Sequence, residues 1–76
     1  MPRWEWRLVR RDGILMVHAV YVNDYDEVIG FEEEAASPSS DSVTGFHGVL
    51  DAMREASVRP LLEFDDLVAL NALGRG

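Results

Sequence analysis

Two histidines and one short acidic segment are the residues of this chain whose types could bind a metal ion. His18 lies in an apolar run and His47 lies on the polar side of a predicted helix, without the HExxH spacing or any other spacing of a zinc site. Asp24-x-Asp26-Glu27 resembles the start of a calcium loop, but the required glycine and terminal glutamate are not at the required spacing. We therefore predict a core or rim histidine at position 18, a solvated one at 47, and no metal or cofactor.

Serines and carboxylates are the groups that could carry catalysis. Four serines occur within a few residues of one another, without a partnered base in any recognisable pattern; they are Ser37, Ser39, Ser40 and Ser42. Paired catalytic carboxylates need a cleft that shifts their pKa values, and a small sheet with one helix seldom provides one. The spacing Gly45-x-x-Gly48 is too sparse for a phosphate-binding loop. The sequence therefore predicts a protein that is not an enzyme.

Composition narrows the class of protein further. The chain has 76 residues, 14 acidic residues, seven arginines, no lysine and no cysteine, and its formal net charge is −7. The lack of cysteine excludes a disulfide framework, and a hydrophobic content of 47% is too high for a disordered acidic tail. No apolar run could span a bilayer and no signal-peptide segment opens the sequence. We expect one domain over residues 1–76, cytoplasmic in a bacterial host cell, that contacts neither nucleic acid nor membrane directly.

The first half of the chain has the period-two pattern of strands. Residues 3–11 alternate, with Trp4, Trp6 and Leu8 predicted to point inward and the row that contains Arg7 and Val9 predicted to point outward. Asp12-Gly13 predicts a type I′ hairpin turn. Residues 14–23 are apolar on both faces, which indicates a central strand. Residues 27–33 alternate again, with Ile29 and Phe31 on one face, so the simplest topology is an antiparallel three-stranded meander.

The second half of the chain predicts a loop followed by helices. Residues 35–42 are loop-like, and Ser40, Asp41 or Ser42 could cap a helix from Val43. Its apolar stripe would pack Phe46 and Leu50 against Trp4, Trp6 and Phe31, while small residues from Gly45 to Ala56 form a ridge. Arg59-Pro60 ends this helix, residues 61–64 cover a core edge or add a short strand, and Asp65 caps a brief final helix. The predicted fold is α+β, with a three-stranded antiparallel meander packed on one amphipathic helix and a short C-terminal helix.

Charge is distributed unevenly along the sequence. Residues 12–53 contain no basic residue, and seven acids lie between Asp24 and Asp41. On a strand, Glu32 and Glu34 would lie side by side about 6.8 Å apart, and duplex phosphates also form regular negative rows. Such an edge could occupy a surface built for nucleic acid. The alternative is a solvated edge whose charges discourage aggregation.

Two features of this charge distribution remain open at the level of sequence. Tyr25 lies in a turn between Asp24 and Asp26, where it could serve as an interface residue or fold back over the sheet. The arginines of the first segment, Arg3, Arg7 and Arg11, could form a basic patch or pair with the acids.

Motifs in a fixed order run from Trp4 to Leu67. They are Trp4-Glu5-Trp6-Arg7, Val20-Tyr21, Asp24, Asp26, Val28, Phe31, Glu33-Glu34, Pro38, Leu50, Met53, Pro60-Leu61-Leu62 and Asp65-Asp66-Leu67. In this order the chain resembles a family of small uncharacterised acidic proteins of bacteria and phages. The departures are Ala19 for Glu, Tyr25-Asp26-Glu27 in a turn that usually carries Gly, and Ala35 for Pro. The resemblance implies a β-β-β-α architecture and transfers no active site.

In size, acidity and lack of catalytic groups the chain is also similar to phage anti-CRISPR proteins. On this basis we expect a small non-enzymatic inhibitor, monomeric rather than dimeric, that binds a basic nucleic-acid-handling protein, most concretely a CRISPR effector complex, and blocks access to DNA. The expected partner-binding residues are Asp24, Tyr25, Asp26, Glu27, Glu32, Glu33 and Glu34. The alternative is a regulatory or scaffold domain that acts through protein–protein contacts or dimerisation, using the Gly45–Ala56 ridge or the apolar tail Leu67–Leu73.

Overall fold

The computed structural model describes the backbone of residues 2–74 and the side chains of residues 2–72. This part of the chain is α+β, with a curled sheet of four strands and two helices. The elements are β1 (Arg3–Arg11), β2 (Ile14–Val22), β3 (Val28–Phe31), α1 (Val43–Ala56), β4 (Leu62–Glu63) and α2 (Phe64–Gly74). Neither helix is long and apolar enough to cross a bilayer.

The β1–β2 hairpin follows directly from the sequence. The strands pair antiparallel from Arg3↔Val22 to Arg11↔Ile14 without interruption. Asp12 and Gly13 have φ values of 53° and 78°, the positive angles that a type I′ turn requires at both central positions. The predicted hairpin turn is confirmed.

The sheet contains one strand more than the predicted meander. Its order is β3-β2-β1-β4, and β4 pairs parallel with β1 through Val9↔Leu62 and Arg10↔Glu63. The buried Arg7 donates from Nη2 to the carbonyl oxygen of Pro60 at 2.6 Å, which holds the returning chain beside β1. This long-range pairing places β1 in the interior of the sheet.

Strand β3 is shorter than predicted and contains an irregularity. The register passes from Tyr21↔Gly30 to Val22↔Val28, so Ile29 is an extra residue without a partner on β2. Phe31 is therefore buried whereas Ile29 is 42% exposed. The prediction that Ile29 and Phe31 share a face was wrong, because period-two counting does not anticipate a bulge.

The hydrophobic core lies between the sheet and α2. Its buried members are Val9, Val20, Val22, Phe31 and Leu67, with Val28, Leu62, Phe64 and Leu70 packed around them. The inward row of β1 is thus the one that contains Arg7 and Val9, and the predicted row of Trp4, Trp6 and Leu8 was wrong. Trp4 is 57% exposed. Of the tail Leu67–Leu73 proposed as an interface, Leu67 is a core residue and Leu70 packs against the core, while the side chain of Leu73 lies outside the described residues.

Helix α1 begins at Val43 as predicted but ends at Ala56, before the predicted end at Arg59-Pro60, and its packing also differs from the prediction. Ser42 is the N-cap, and its hydroxyl accepts from the backbone N–H of Gly45 at 3.0 Å. The helix lies beside β1 rather than over the core, and Leu50 is 44% exposed. The predicted packing of Phe46 and Leu50 against Phe31 was wrong because α2 occupies that face. Helix α2 starts at Phe64, which places Asp65 in its first turn instead of at its N-cap.

Candidate partner-binding surface

The seven predicted partner-binding residues lie at the two ends of β3, the edge strand of the sheet. We call them the acidic edge: Asp24, Tyr25, Asp26 and Glu27 before the strand, and Glu32, Glu33 and Glu34 after it. All seven are exposed. Four strand residues span about 13 Å, so the structure presents two groups instead of a continuous row. The predicted pairing of Glu32 with Glu34 along a strand was wrong, since β3 ends at Phe31 and the backbone bends at residues 33–34.

Asn23 organises the first group. Its side-chain oxygen accepts from the backbone N–H groups of Tyr25 at 2.9 Å and of Glu27 at 3.0 Å. Its amide nitrogen donates to the Glu27 carboxylate at 3.1 Å. Asp26 has a φ of 60°, the left-handed conformation that aspartate tolerates in tight turns. This turn therefore has a defined shape before any partner arrives.

Tyr25 projects from that turn into solvent. Its side chain is 83% exposed, so the alternative in which it folds back over the sheet was wrong. An exposed tyrosine in a well-bonded turn offers contact area at a low cost in conformational entropy.

Arg3 lies beside the first group and partly neutralises it. Its guanidinium donates to the Asp26 carboxylate and, at 3.4 Å, to the carbonyl oxygen of Asn23. The hydrogen bond to Asp26, assisted by the charges of Asp26, Glu5 and Asp24, raises the pKa of Arg3. Of the three arginines whose partners the sequence left undetermined, Arg3 thus pairs with the acidic edge. The electrostatic field of the first group is therefore weaker than its carboxylates alone would produce.

The second group is fixed through Glu32. The Tyr21 hydroxyl donates to the Glu32 carboxylate, and this bond raises the pKa of Tyr21. The backbone N–H of Glu32 also donates to the carbonyl oxygen of Ala19 on β2 at 2.9 Å. Glu33 and Glu34 follow this fixed residue and are exposed, and neither forms an ion pair within the described residues.

The remaining arginines of β1, together with Arg59 before β4, are engaged away from the acidic edge. Arg7 contacts Glu5 at 3.4 Å, Arg10 pairs with Glu63, and Arg59 contacts Glu5 at 3.5 Å. The guanidinium of Arg11 lies 4.3 Å from the centre of the Phe64 ring. The question left open for Arg7 and Arg11 is therefore answered: neither pairs with the acidic edge, and both lie at the β1–β4 side of the sheet.

His18 is a buried histidine, as predicted. It is 1% exposed, and its Nδ1 donates to the carbonyl oxygen of Glu32 at 2.9 Å. His47 is exposed on α1. Within the described residues no three histidines or carboxylates are grouped as metal ligands.

Sequence reasoning missed a surface groove between β1 and α1. Trp4 and Trp6 form one wall, with ring centroids 5.5 Å apart, and Gly48 and Ala52 of α1 form the other. Arg59 lies at the same groove, which encloses about 490 Å³. The sequence pattern that could have predicted this groove is two small residues four apart on a helix together with two aromatic residues two apart on a strand. We interpreted that pattern as core packing.

Comparisons with known proteins return no match: no protein family, no curated protein and no solved structure is similar to this chain. The resemblance to small acidic bacterial and phage proteins stays a prediction.

Proposed function

We propose that this chain is a small non-enzymatic inhibitor that binds a basic protein surface through its acidic edge. The most concrete form of this proposal is the anti-CRISPR type, in which the chain occupies the DNA-facing surface of a CRISPR effector complex. The mechanism is steric and electrostatic competition with DNA, without turnover.

Segregation of charge across the sheet is the observation that carries this proposal. Six exposed carboxylates flank β3, where Arg3 pairs with Asp26, whereas Arg7, Arg10, Arg11 and Arg59 have their contacts at the opposite, β1–β4 side. An acidic patch that is only partly neutralised creates a field that attracts cationic surfaces and accelerates encounter.

The two groups of the acidic edge would have different roles in such a complex. Glu33 and Glu34 carry charge without an ion-pair partner in the described residues and steer association, and Tyr25 supplies an exposed aromatic contact on a well-bonded turn. The bonds of Asn23 hold the backbone of Tyr25 and Glu27 in a turn, which reduces the backbone entropy lost on binding.

A competition assay with a purified CRISPR effector complex and its target duplex tests this proposal. The chain should reduce DNA binding, and the double variant Glu33→Lys/Glu34→Lys should weaken this inhibition by about ten-fold or more. Glu32 is left intact in this variant because its carboxylate accepts from Tyr21.

The matched control is Asp41→Lys/Asp51→Lys, which makes the same change in net charge at exposed positions outside the acidic edge. This control should keep most of the inhibition. Equal loss of inhibition in both double variants would mean that overall charge, and not the acidic edge, causes the effect. A wild-type chain that leaves DNA binding unchanged would contradict the CRISPR form of the proposal.

The groove between β1 and α1 favours a second candidate function, a scaffold domain that dimerises through the Gly45–Ala56 ridge. Gly48 and Ala52 of this ridge line the groove together with Trp4 and Trp6. Sedimentation equilibrium separates the two functions. A monomer at all concentrations supports the inhibitor, whereas a dimer that Gly48→Leu dissociates supports the scaffold.

A further inference from the structure

The groove between β1 and α1 carries an aromatic pair that the fold leaves open to solvent. Trp4 is 57% exposed, and its ring centroid lies 5.5 Å from that of Trp6, with 61° between the ring planes. Two indole rings at such an angle form two sides of a corner, and indole is the side-chain ring whose face attracts a cation most strongly. The groove, at about 490 Å³, has the size of a small-molecule site.

Small residues of α1 make the opposite wall of the groove, among them Gly48 and Ala52. A Cβ atom built at Gly48 would meet nothing within 4 Å, and Gly48 does not have a positive φ. Glycine inside a helix costs about 1 kcal/mol relative to alanine, and neither space nor backbone conformation requires it here. Its effect is to leave room opposite the two indole rings.

The lining of the groove carries more negative than positive charge. Two carboxylates line it, Glu5 and Glu55, against the single guanidinium of Arg59. Arg59 is already engaged, with Nε 3.5 Å from the Glu5 carboxylate and Nη1 donating to the carbonyl oxygen of Trp6 at 3.3 Å. A ligand in the groove would therefore meet an acidic lining whose one cation already has its own partners.

Glu55, rather than Glu5, supplies the charge available to a ligand. Glu5 is contacted by Arg3 at 3.6 Å and by Arg7 at 3.4 Å, neither of which lines the groove, in addition to Arg59. Its carboxylate is thus compensated within the fold. Glu55 is exposed on α1 and forms no ion pair within the described residues.

The rest of the lining determines which kind of cation suits the groove. The α1 wall of Gly48, Val49 and Ala52 has no side-chain hydrogen-bond acceptor. A primary ammonium would leave some of its N–H donors without partners against such a wall. A quaternary ammonium has no N–H donor, and aromatic rings recognise it through their faces.

From these observations we propose that the groove binds a small molecule that bears a quaternary ammonium group. The methylated nitrogen lies against Trp4 and Trp6, opposite Gly48, with Glu55 as its counter-ion. This site uses none of the residues of the acidic edge, so it stands or falls independently of the inhibitor proposal.

Three related alcohols test the proposal: choline, its neutral isostere 3,3-dimethyl-1-butanol, and ethanolamine, which carries a primary ammonium. The chain has two tryptophans, both at the groove, so their two indole N–H signals in a ¹H–¹⁵N spectrum report binding directly. We expect choline to shift both signals and to bind about five- to ten-fold more tightly than the neutral isostere. Ethanolamine should bind more weakly than choline.

Variants separate the contributions of the rings, the charge and the space. Trp4→Leu should remove most of the preference for choline over its isostere, and Glu55→Gln should reduce that preference by about two- to five-fold. The matched control is Asp51→Asn, which removes an exposed carboxylate of α1 that does not line the groove and should leave choline binding unchanged. Gly48→Leu should abolish binding of both probes by filling the groove, and Gly48→Ala should weaken it partially if the leucine variant fails to fold.

Four results would overturn the proposal. They are unshifted indole signals at tens of millimolar choline, equal affinity for choline and its isostere, unchanged choline binding in Glu55→Gln, and unchanged binding in both Gly48 variants. A trimethyllysine peptide that binds far more tightly than choline would also overturn it, because the occupant would then be a protein. Indole signals that move on dilution without any probe would do the same, since the groove would then be a contact between two copies of this chain.

Discussion

Gly45 and Gly48, three positions apart in α1, have different structural surroundings. Gly45 allows the Ser42 cap to bond its backbone N–H, while Gly48 borders open space. We predict that Gly48→Ala raises the free energy of unfolding by about 1 kcal/mol and that Gly45→Ala lowers it by about 1–2 kcal/mol through damage to the cap. Urea unfolding of the two variants measures both effects, and equal shifts would contradict the assignment.

Tyr21 gives a pH-dependent prediction. Its hydroxyl donates to Glu32, which raises the pKa of Tyr21 above its ordinary value of 10.0. Since the folded-state pKa is the higher one, this bond stabilises the fold below pH 10 and the stabilisation is lost as pH rises through the folded pKa. Titration of the tyrosine ¹³Cζ signals should show the Tyr21 pKa falling in Glu32→Gln. An unchanged pKa would mean that the bond is absent in solution.

Glu5 is the carboxylate around which the β1 end of the groove is built. Its side chain is 15% exposed and contacts three guanidinium groups. Glu5→Gln should lower the free energy of unfolding by about 1–3 kcal/mol, mainly because the buried Arg7 guanidinium loses its charged partner, while the exposed Arg3 and Arg59 lose less. The control is Glu63→Gln, which breaks the exposed pair with Arg10 and should have a much smaller effect. Thermal or urea unfolding distinguishes them, and the reverse order would contradict this role for Glu5.

Among the secondary-structure elements, α2 completes the sheet through one side chain. Asn71 accepts from the backbone N–H of Phe31 at 3.1 Å and donates to the Phe31 carbonyl oxygen at 3.0 Å, so its amide takes the place of a neighbouring strand. Asn71→Leu should lower the free energy of unfolding by about 2–3 kcal/mol. It should also increase amide exchange at Phe31, whereas Val68→Ala, at a part-exposed position on α2, should not. Unchanged exchange in Asn71→Leu would contradict this role.

Local elements of this fold were readable from sequence, and their mutual arrangement was not. The hairpin at Asp12-Gly13 and the helix capped by Ser42 depend on turn and cap chemistry within a few residues. Which face of β1 points inward depends on the packing of α2. The alternation places Trp4 and Trp6 on one face and Val9 on the other, and either face could be the buried one. Likewise β4 pairs with β1 across more than fifty residues, which no local pattern indicates.

The candidate surface was also only partly predictable. Composition located the acidic residues of the turn and of residues 32–34, and exposure of all seven residues of the acidic edge agrees with that choice. Their division into two groups follows from the early end of β3, and the pairing of Asp26 follows from the antiparallel register that brings Arg3 opposite Val22. These are consequences of tertiary structure, so sequence spacing alone overestimated the continuity of the charge.

For the molecule as a whole, the grouping of six exposed carboxylates around β3, with Arg3 paired to Asp26 and the contacts of Arg7, Arg10 and Arg11 at the β1–β4 side, is the basis of the proposed function. A net charge of −7 alone would favour solubility as much as binding. The two roles differ in whether the position of the charges matters. A patch that steers binding must act through specific residues, and its effect on the association rate must weaken as salt screens the charges.

Association kinetics measured against ionic strength test this claim most directly. The rate constant for binding of the chain to an immobilised CRISPR effector complex should fall steeply as salt increases. For Glu33→Lys/Glu34→Lys the rate constant should be lower by about ten-fold at low salt and should depend less on salt. An equally fast, equally salt-dependent association in that variant would contradict the assignment of the acidic edge as the binding surface.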